Sequence, residues 1–255
     1  MKFIATLFAP LLLSGCVSLA TAAALIDVSV IDRSTGEQLD VYRHHGRLYV
    51  AGIPGNRYAV SLRNKSGARV LTVVSVDGIN AISGQAAASA QSGYVLSPWQ
   101  ATEVSGWRKS MDDVAAFYFT SIDDSYAART DRPQHVGVIG VAVFREAEPP
   151  RPMPSISEAE RSRPADKAGA SAAAPARSES LSKQAESKIG TGHGERIEAP
   201  TRYTDFRRAS STPAEVITIY YNSRANLIAQ GVIGGATQYA RPNPFPGGFA
   251  PDPRY

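Results

Sequence analysis

Between residues 25 and 146 short apolar runs of four to ten residues are separated by turn residues, chiefly Gly, Pro, Asn, Asp and Ser. That pattern, with no long stretch of 3.6-residue period between the runs, belongs to strands rather than to helices. Residues 26–31 alternate and are followed by Asp32-Arg33-Ser34-Thr35-Gly36. Residues 39–42 and 47–50 flank Arg43-His44-His45-Gly46, which predicts a hairpin, and 57–62 and 69–76 predict two further strands. Asp77-Gly78 is a strong two-residue turn signal because both residue types tolerate positive φ. Further runs at 93–96, 102–105, 115–120 and 135–144 bring the tally to about nine short strands. The fold class this predicts is all-β, an antiparallel β-sandwich or barrel-like sandwich spanning 25–146.

Composition changes abruptly after Glu146. Residues 147–199 are dominated by Ala, Pro, Ser and charged side chains, with almost no aromatic or β-branched residues. Such a stretch buries too little area to offset ordering entropy, so a long disordered insertion or linker is expected. Apolar patterning returns at 200–238, where 215–221 and 226–233 read as two strands around Asn222-Ser223-Arg224-Ala225. A lone hairpin is marginal in water, so this strand pair is expected to return to the sheet and dock on the sandwich. Residues 239–255 are Pro/Gly-rich and read as a flexible tail.

Residues 1–24 carry the pattern of a secretory signal peptide, with Lys2 ahead of an apolar run over 3–13. Leu13-Ser14-Gly15-Cys16 matches a bacterial lipobox at 13–16, which would make Cys16 the site of lipid attachment and anchor the chain to a membrane. Ala20-Thr21-Ala22 and Ala22-Ala23-Ala24 offer ordinary small-x-small cleavage sites instead. Either ending predicts an exported protein of the bacterial cell envelope, an outer-membrane lipoprotein or a periplasmic one.

The 255 residues carry a net charge of +4, with basic residues interleaved among acids rather than gathered in a stripe. Nucleic acid is therefore not an expected partner. Cys16 is the single cysteine, so the core must hold without an internal disulfide.

Candidate chemistry is sparse. P-loop, nucleophile-elbow, zincin and EF-hand patterns are absent from the sequence. Gly190-Thr191-Gly192-His193-Gly194 follows low-complexity sequence rather than a strand, and reads as flexible re-entry into the fold. Ser180-Leu181-Ser182-Lys183 matches S-x-x-K by chance within the linker. His44 and His45, adjacent on a hairpin, read as exposed residues rather than ligands. Asp112, Asp113, Asp123 and Asp124 are weak candidates for a Ca²⁺ site, although Asp more often stabilises turns, and no metal or other cofactor is expected. Trp99 and Trp107 are weak candidates for a glycan-binding platform, set against the commoner role of tryptophan in a core.

Several segments together resemble a group of exported bacterial proteins of unassigned function: Val73-Val74-Ser75-Val76-Asp77-Gly78, Gly93-Tyr94-Val95-Leu96, Gly106-Trp107-Arg108, Asp124-Ser125-Tyr126-Ala127 and Val136-Gly137-Val138-Ile139-Gly140-Val141. The resemblance covers about residues 40–146 and the Tyr220-Tyr221 segment. It implies a bacterial origin and carries no activity with it. The expected function is non-enzymatic binding or assembly in the cell envelope, with an envelope protein or glycan as partner. The alternative is a carbohydrate-binding module using Trp99 or Trp107.

Overall fold

The computed structural model describes residues 24–148 and 188–234. The expected signal and Cys16, the stretch 149–187 and the tail from 239 onward lie outside the described residues. Strands dominate, arranged mostly antiparallel in two layers, so the protein is an all-β sandwich.

The first five strands are β1 (Ile26–Asp32), β2 (Val41–His44), β3 (Arg47–Gly52), β4 (Tyr58–Asn64) and β5 (Val70–Val76). Two tight turns among them follow from local chemistry. His45 and Gly46 join β2 to β3 with φ of 45° and 74°. Asp77 and Gly78, with φ of 52° and 74°, join β5 to β6 (Ile79–Asn80), as the Asp-Gly pair predicts. The middle of the chain adds β7 (Tyr94–Leu96), β8 (Ala101–Val104), β9 (Gly106–Arg108) and β10 (Asp113–Ser121). A short helix α1 (Tyr126–Arg129) follows, capped by the Ser125 hydroxyl, and then β11 (Val138–Arg145).

Beyond the undescribed stretch come β12 (Ile189–Glu198), β13 (Glu215–Ser223) and α2 (Arg224–Ala229). One layer is a seven-stranded sheet in the order β2-β3-β13-β11-β5-β6, with β7 also paired to β5. The facing layer is made of β1-β4-β8 and β12-β10-β9. These two sheets join because β8 and β9 are separated only by Ser105, whose carbonyl accepts from the Phe117 amide in β10. Between the layers lie Tyr58, Phe117, Phe119, Leu62, Val50 and Ile219, all fully buried.

The returning C-terminal strand is the hinge of the topology. β13 inserts between β3 and β11, antiparallel to β11 and parallel to β3, with Tyr220 opposite Tyr49. The predicted docking of 215–221 on the amino-terminal sheet is thus realised in the middle of the sheet, not at its edge.

Two expectations are overturned. The run 226–233 is not a strand: Ser223 caps α2 by accepting from the Asn226 amide. Gly231, at φ 71°, ends it in a left-handed turn that returns the Val232 and Ile233 amides to the Leu227 carbonyl. Cap and terminator outweigh the apolar run, whose only fully buried member is Leu227.

The expected linker also ends too late. Residues 189–198, inside the expected linker, form β12, a ten-residue strand paired along β10. Its alternating glycines are required by close neighbours rather than by flexibility. A Cβ on Gly192 would lie 2.1 Å from the Tyr118 ring, and one on Gly190 would lie 2.6 Å from Ser125. On the opposite face of the strand Ile189 and Thr191 point into the core.

Candidate functional site

The residues singled out from sequence do not converge. Trp107 is 2% exposed, packed edge-on to Phe117 at 4.8 Å and against Tyr126 at 4.7 Å, whereas Trp99 stands 67% exposed on the loop before β8. The expected two-tryptophan platform therefore does not form, because burial of Trp107 satisfies the core instead. Asp112 and Asp113 lie at one end of β10 and Asp123 and Asp124 at the other, about 26 Å apart at strand rise. Asp113 and Asp124 each take a hydrogen bond from the serine three residues before them. No group of three metal-ligating side chains occurs among the described residues. His44 and His45 sit at the β2–β3 turn with their rings edge to face at 4.0 Å.

A different constellation emerges on the outer face of the seven-stranded sheet. Strand alternation sends Ile219 and Tyr221 inward and Tyr220 outward, and the parallel register sets Tyr220 beside Tyr49. Tyr49 in turn faces Tyr42 across the β2–β3 hairpin. The result is a row of three half-buried tyrosines across three adjacent strands. The Tyr49 and Tyr220 rings are 5.5 Å apart and tilted by 32°. The Arg47 guanidinium lies 5.5 Å from the centre of the Tyr220 ring.

The row ends at a cleft of about 240 Å³ walled by Arg47, Tyr49, Tyr220, Lys188, Leu227 and Gln230. Neither Arg47 nor Lys188 forms an ion pair among the described residues. A second hollow, about 430 Å³, is lined by Tyr58, Ser105, Ala116 and Phe117, but its Arg57 is already held by Glu195 at 2.6 Å and its Arg33 by Glu103 at 3.1 Å. The tyrosine cleft thus keeps positive charge to offer a ligand, and the second hollow does not.

Behind the cleft a buried polar chain fixes the strand ends that form it. Tyr221 donates to Asp77 at 2.5 Å, Thr191 lies 2.7 Å from the Tyr221 hydroxyl, and Tyr58 lies 2.5 Å from the Thr191 hydroxyl. An ionised carboxylate only accepts, so the protons run in one direction: Tyr58 to Thr191, Thr191 to Tyr221, Tyr221 to Asp77. Asp77 also accepts the Gly137 amide at 2.9 Å and the Thr191 amide at 2.8 Å. Burial raises the Asp77 carboxyl above its ordinary 3.8, against those hydrogen bonds, which pull it down. Burial and the charge of Asp77 push both Tyr58 and Tyr221 well above 10, so neither phenol serves as a base near neutrality. These four buried side chains act as scaffold: each hydroxyl and carboxylate oxygen among them has a hydrogen-bond partner.

No family model, no curated protein and no solved structure matches this chain.

The tyrosine row was not among the residues singled out from sequence. Tyr42, Tyr49 and Tyr220 each fall in a predicted strand, and period-2 alternation separates Tyr220 from Tyr221. The parallel register that gathers the three has no local signal.

Proposed function

We propose that the protein is a non-enzymatic component of the bacterial cell envelope that binds or helps to assemble a protein partner through the outer face of its seven-stranded sheet. The observation that carries this reading is the row Tyr42, Tyr49 and Tyr220, half-buried beside a cleft whose Arg47 and Lys188 form no ion pair among the described residues. Tyrosine supplies large contact area at low conformational cost, which suits it to interfaces. A glycan platform is less well supported, because Trp107 is in the core and the Tyr49 and Tyr220 rings are not coplanar. Among the described residues no helix is long and apolar enough to cross a membrane. Membrane attachment, in this proposal, comes from acylation of Cys16.

Two measurements test it. Full-length protein and a Tyr49→Ala/Tyr220→Ala variant, both shown folded, are immobilised and exposed to envelope extract and to insoluble cell-wall glycan. The reading expects a protein retained by the first and lost from the second; identical retention by both, or retention of glycan alone, overturns it. For the anchor, mass spectrometry of the mature amino terminus should find a diacylated Cys16, and an unmodified chain starting at Ala23 or Leu25 would remove the lipid.

A further inference from the structure

Taking the tyrosine cleft as the ligand site, we propose that its resident occupant is a proline-rich segment of this same chain, residues 241–253, which lies across the tyrosine row and must be displaced by a partner.

The first argument is where the chain leaves the described fold. Leu227 of α2 and Gln230, which caps the carboxy-terminal end of that helix, form one wall of the cleft. The left-handed Gly231 folds the chain back so that Ile233, 5% exposed, bonds to the Leu227 carbonyl. Residue 234 therefore departs from the cleft wall itself. Pro242 is eight residues further on, a reach of up to about 28 Å. The three strands bearing the row occupy about 10 Å of sheet width. A segment tethered this closely meets its site at an effective concentration in the millimolar range.

The second argument is chemistry. Arg241-Pro242-Asn243-Pro244-Phe245-Pro246 and Phe249-Ala250-Pro251-Asp252-Pro253 place five prolines and two phenylalanines within thirteen residues. Proline fixes φ near −65°, so little entropy remains to be lost on docking. Aromatic-lined grooves with a row of exposed rings are the surfaces that take such extended proline segments. Each proline also lacks an amide donor, so this segment is poorly built to add as a strand to the free edge of β2. It is suited to lie over rings instead.

The third argument separates this segment from the other proline-rich stretch of the chain. Residues 149–187, which lead into Lys188 at the same cleft, hold six prolines but no aromatic side chain, whereas 241–253 carry Phe245 and Phe249 to pack on the tyrosine rings.

The test uses the full chain with Tyr49 replaced by the photo-crosslinker p-benzoylphenylalanine. Irradiation should give an intramolecular crosslink, mapped by mass spectrometry to 241–253, whose yield does not depend on protein concentration. Pro242→Ser/Pro244→Ser/Pro246→Ser in the same background should cut that yield about tenfold. Crosslinks that avoid 241–253, or a dimeric product that grows with concentration, overturn the proposal; the latter would assign the site to a second copy. The same proline variant should raise capture of the envelope partner several-fold. If capture depends on Tyr49 and Tyr220 but is unmoved by the prolines, the binding surface stands and this inference fails. If capture ignores the tyrosines as well, the binding surface has failed first.

Discussion

The Tyr221 hydroxyl and the Asp77 carboxylate, 144 residues apart in the chain, meet at 2.5 Å inside the sandwich. Asp77 sits in a hairpin turn of the amino-terminal part, and Tyr221 on the strand that returns after the undescribed stretch. Their contact, with Thr191 and Tyr58 behind it, ties the two ends of the chain by a network whose members cannot be removed singly without orphaning a neighbour.

Asp77→Asn keeps a residue type that tolerates the φ of 52° but presents one amide N–H₂ where only acceptors fit. A loss of about 1–3 kcal/mol is expected. The variant also carries a pH signature. Because the native carboxyl is raised above 3.8, the unfolded chain releases its proton first as pH climbs. Wild-type stability from this group is therefore greatest below 3.8 and falls as pH rises towards the native value. The stability gap between wild type and Asp77→Asn should narrow over that window. Urea midpoints from pH 4 to 7 measure it; a gap that widens would contradict the raised carboxyl.

Tyr221→Phe and Tyr58→Phe should differ in cost. Tyr221 both donates to Asp77 and receives from Thr191, whereas Tyr58 only donates, to Thr191. We expect the first to lose about 2 kcal/mol and the second about 1 kcal/mol, with strong non-additivity when Tyr58→Phe is combined with Thr191→Val. Additive losses in a double-mutant cycle would show that the chain of hydroxyls is not coupled.

Gly192→Ala tests the glycine alternation of β12. Its new methyl would overlap the Tyr118 ring, which is half-buried and can swing outward at the loss of its packing. A destabilisation of about 1–3 kcal/mol is expected, much reduced in a Tyr118→Ala background. Gly140→Ala, whose methyl would find only Ser75 at 3.8 Å, is the matched control and should be nearly silent.

The polypeptide should be severable between its two described parts. A specific protease site placed within 160–175 and cut after folding should leave two fragments that co-elute and unfold together, because β13 pairs on both sides and β12 along β10. A chain ending at Glu146 should fail to unfold cooperatively, since it lacks Ile219 and Tyr221, each worth about 1.5–3 kcal/mol of burial. A truncated chain that melts like the intact one would refute this placement of the C-terminal strands.

Turn chemistry is local, which is why the Asp77-Gly78 hairpin and the sandwich class are legible from residue pattern alone. β12 is not. Gly190, Gly192 and Gly194 lack strand propensity, and the reason for their small size, the Tyr118 ring and Ser125, lies elsewhere in the chain. The run 226–233 misleads by its apolar content, although Ser223 and Gly231 carry the cap and terminator that make it a helix followed by a turn. The candidate site was illegible for a third reason. It depends on β13 lying parallel to β3, and nothing in either strand announces its partner.

The position of β13 also has a consequence in time. Delivered amino terminus first, the β2–β3 hairpin comes free about 170 residues before its neighbour in the sheet, whether from the ribosome or, in the proposed export, from the membrane. Until then the inner edge of β3 offers unpaired backbone groups to any passing chain. Arg43, His44, His45 and Arg47 crowd the tip of that waiting hairpin. Charged and polar side chains at such a tip disfavour edge-to-edge pairing with a neighbouring chain until the late strand arrives to claim its place.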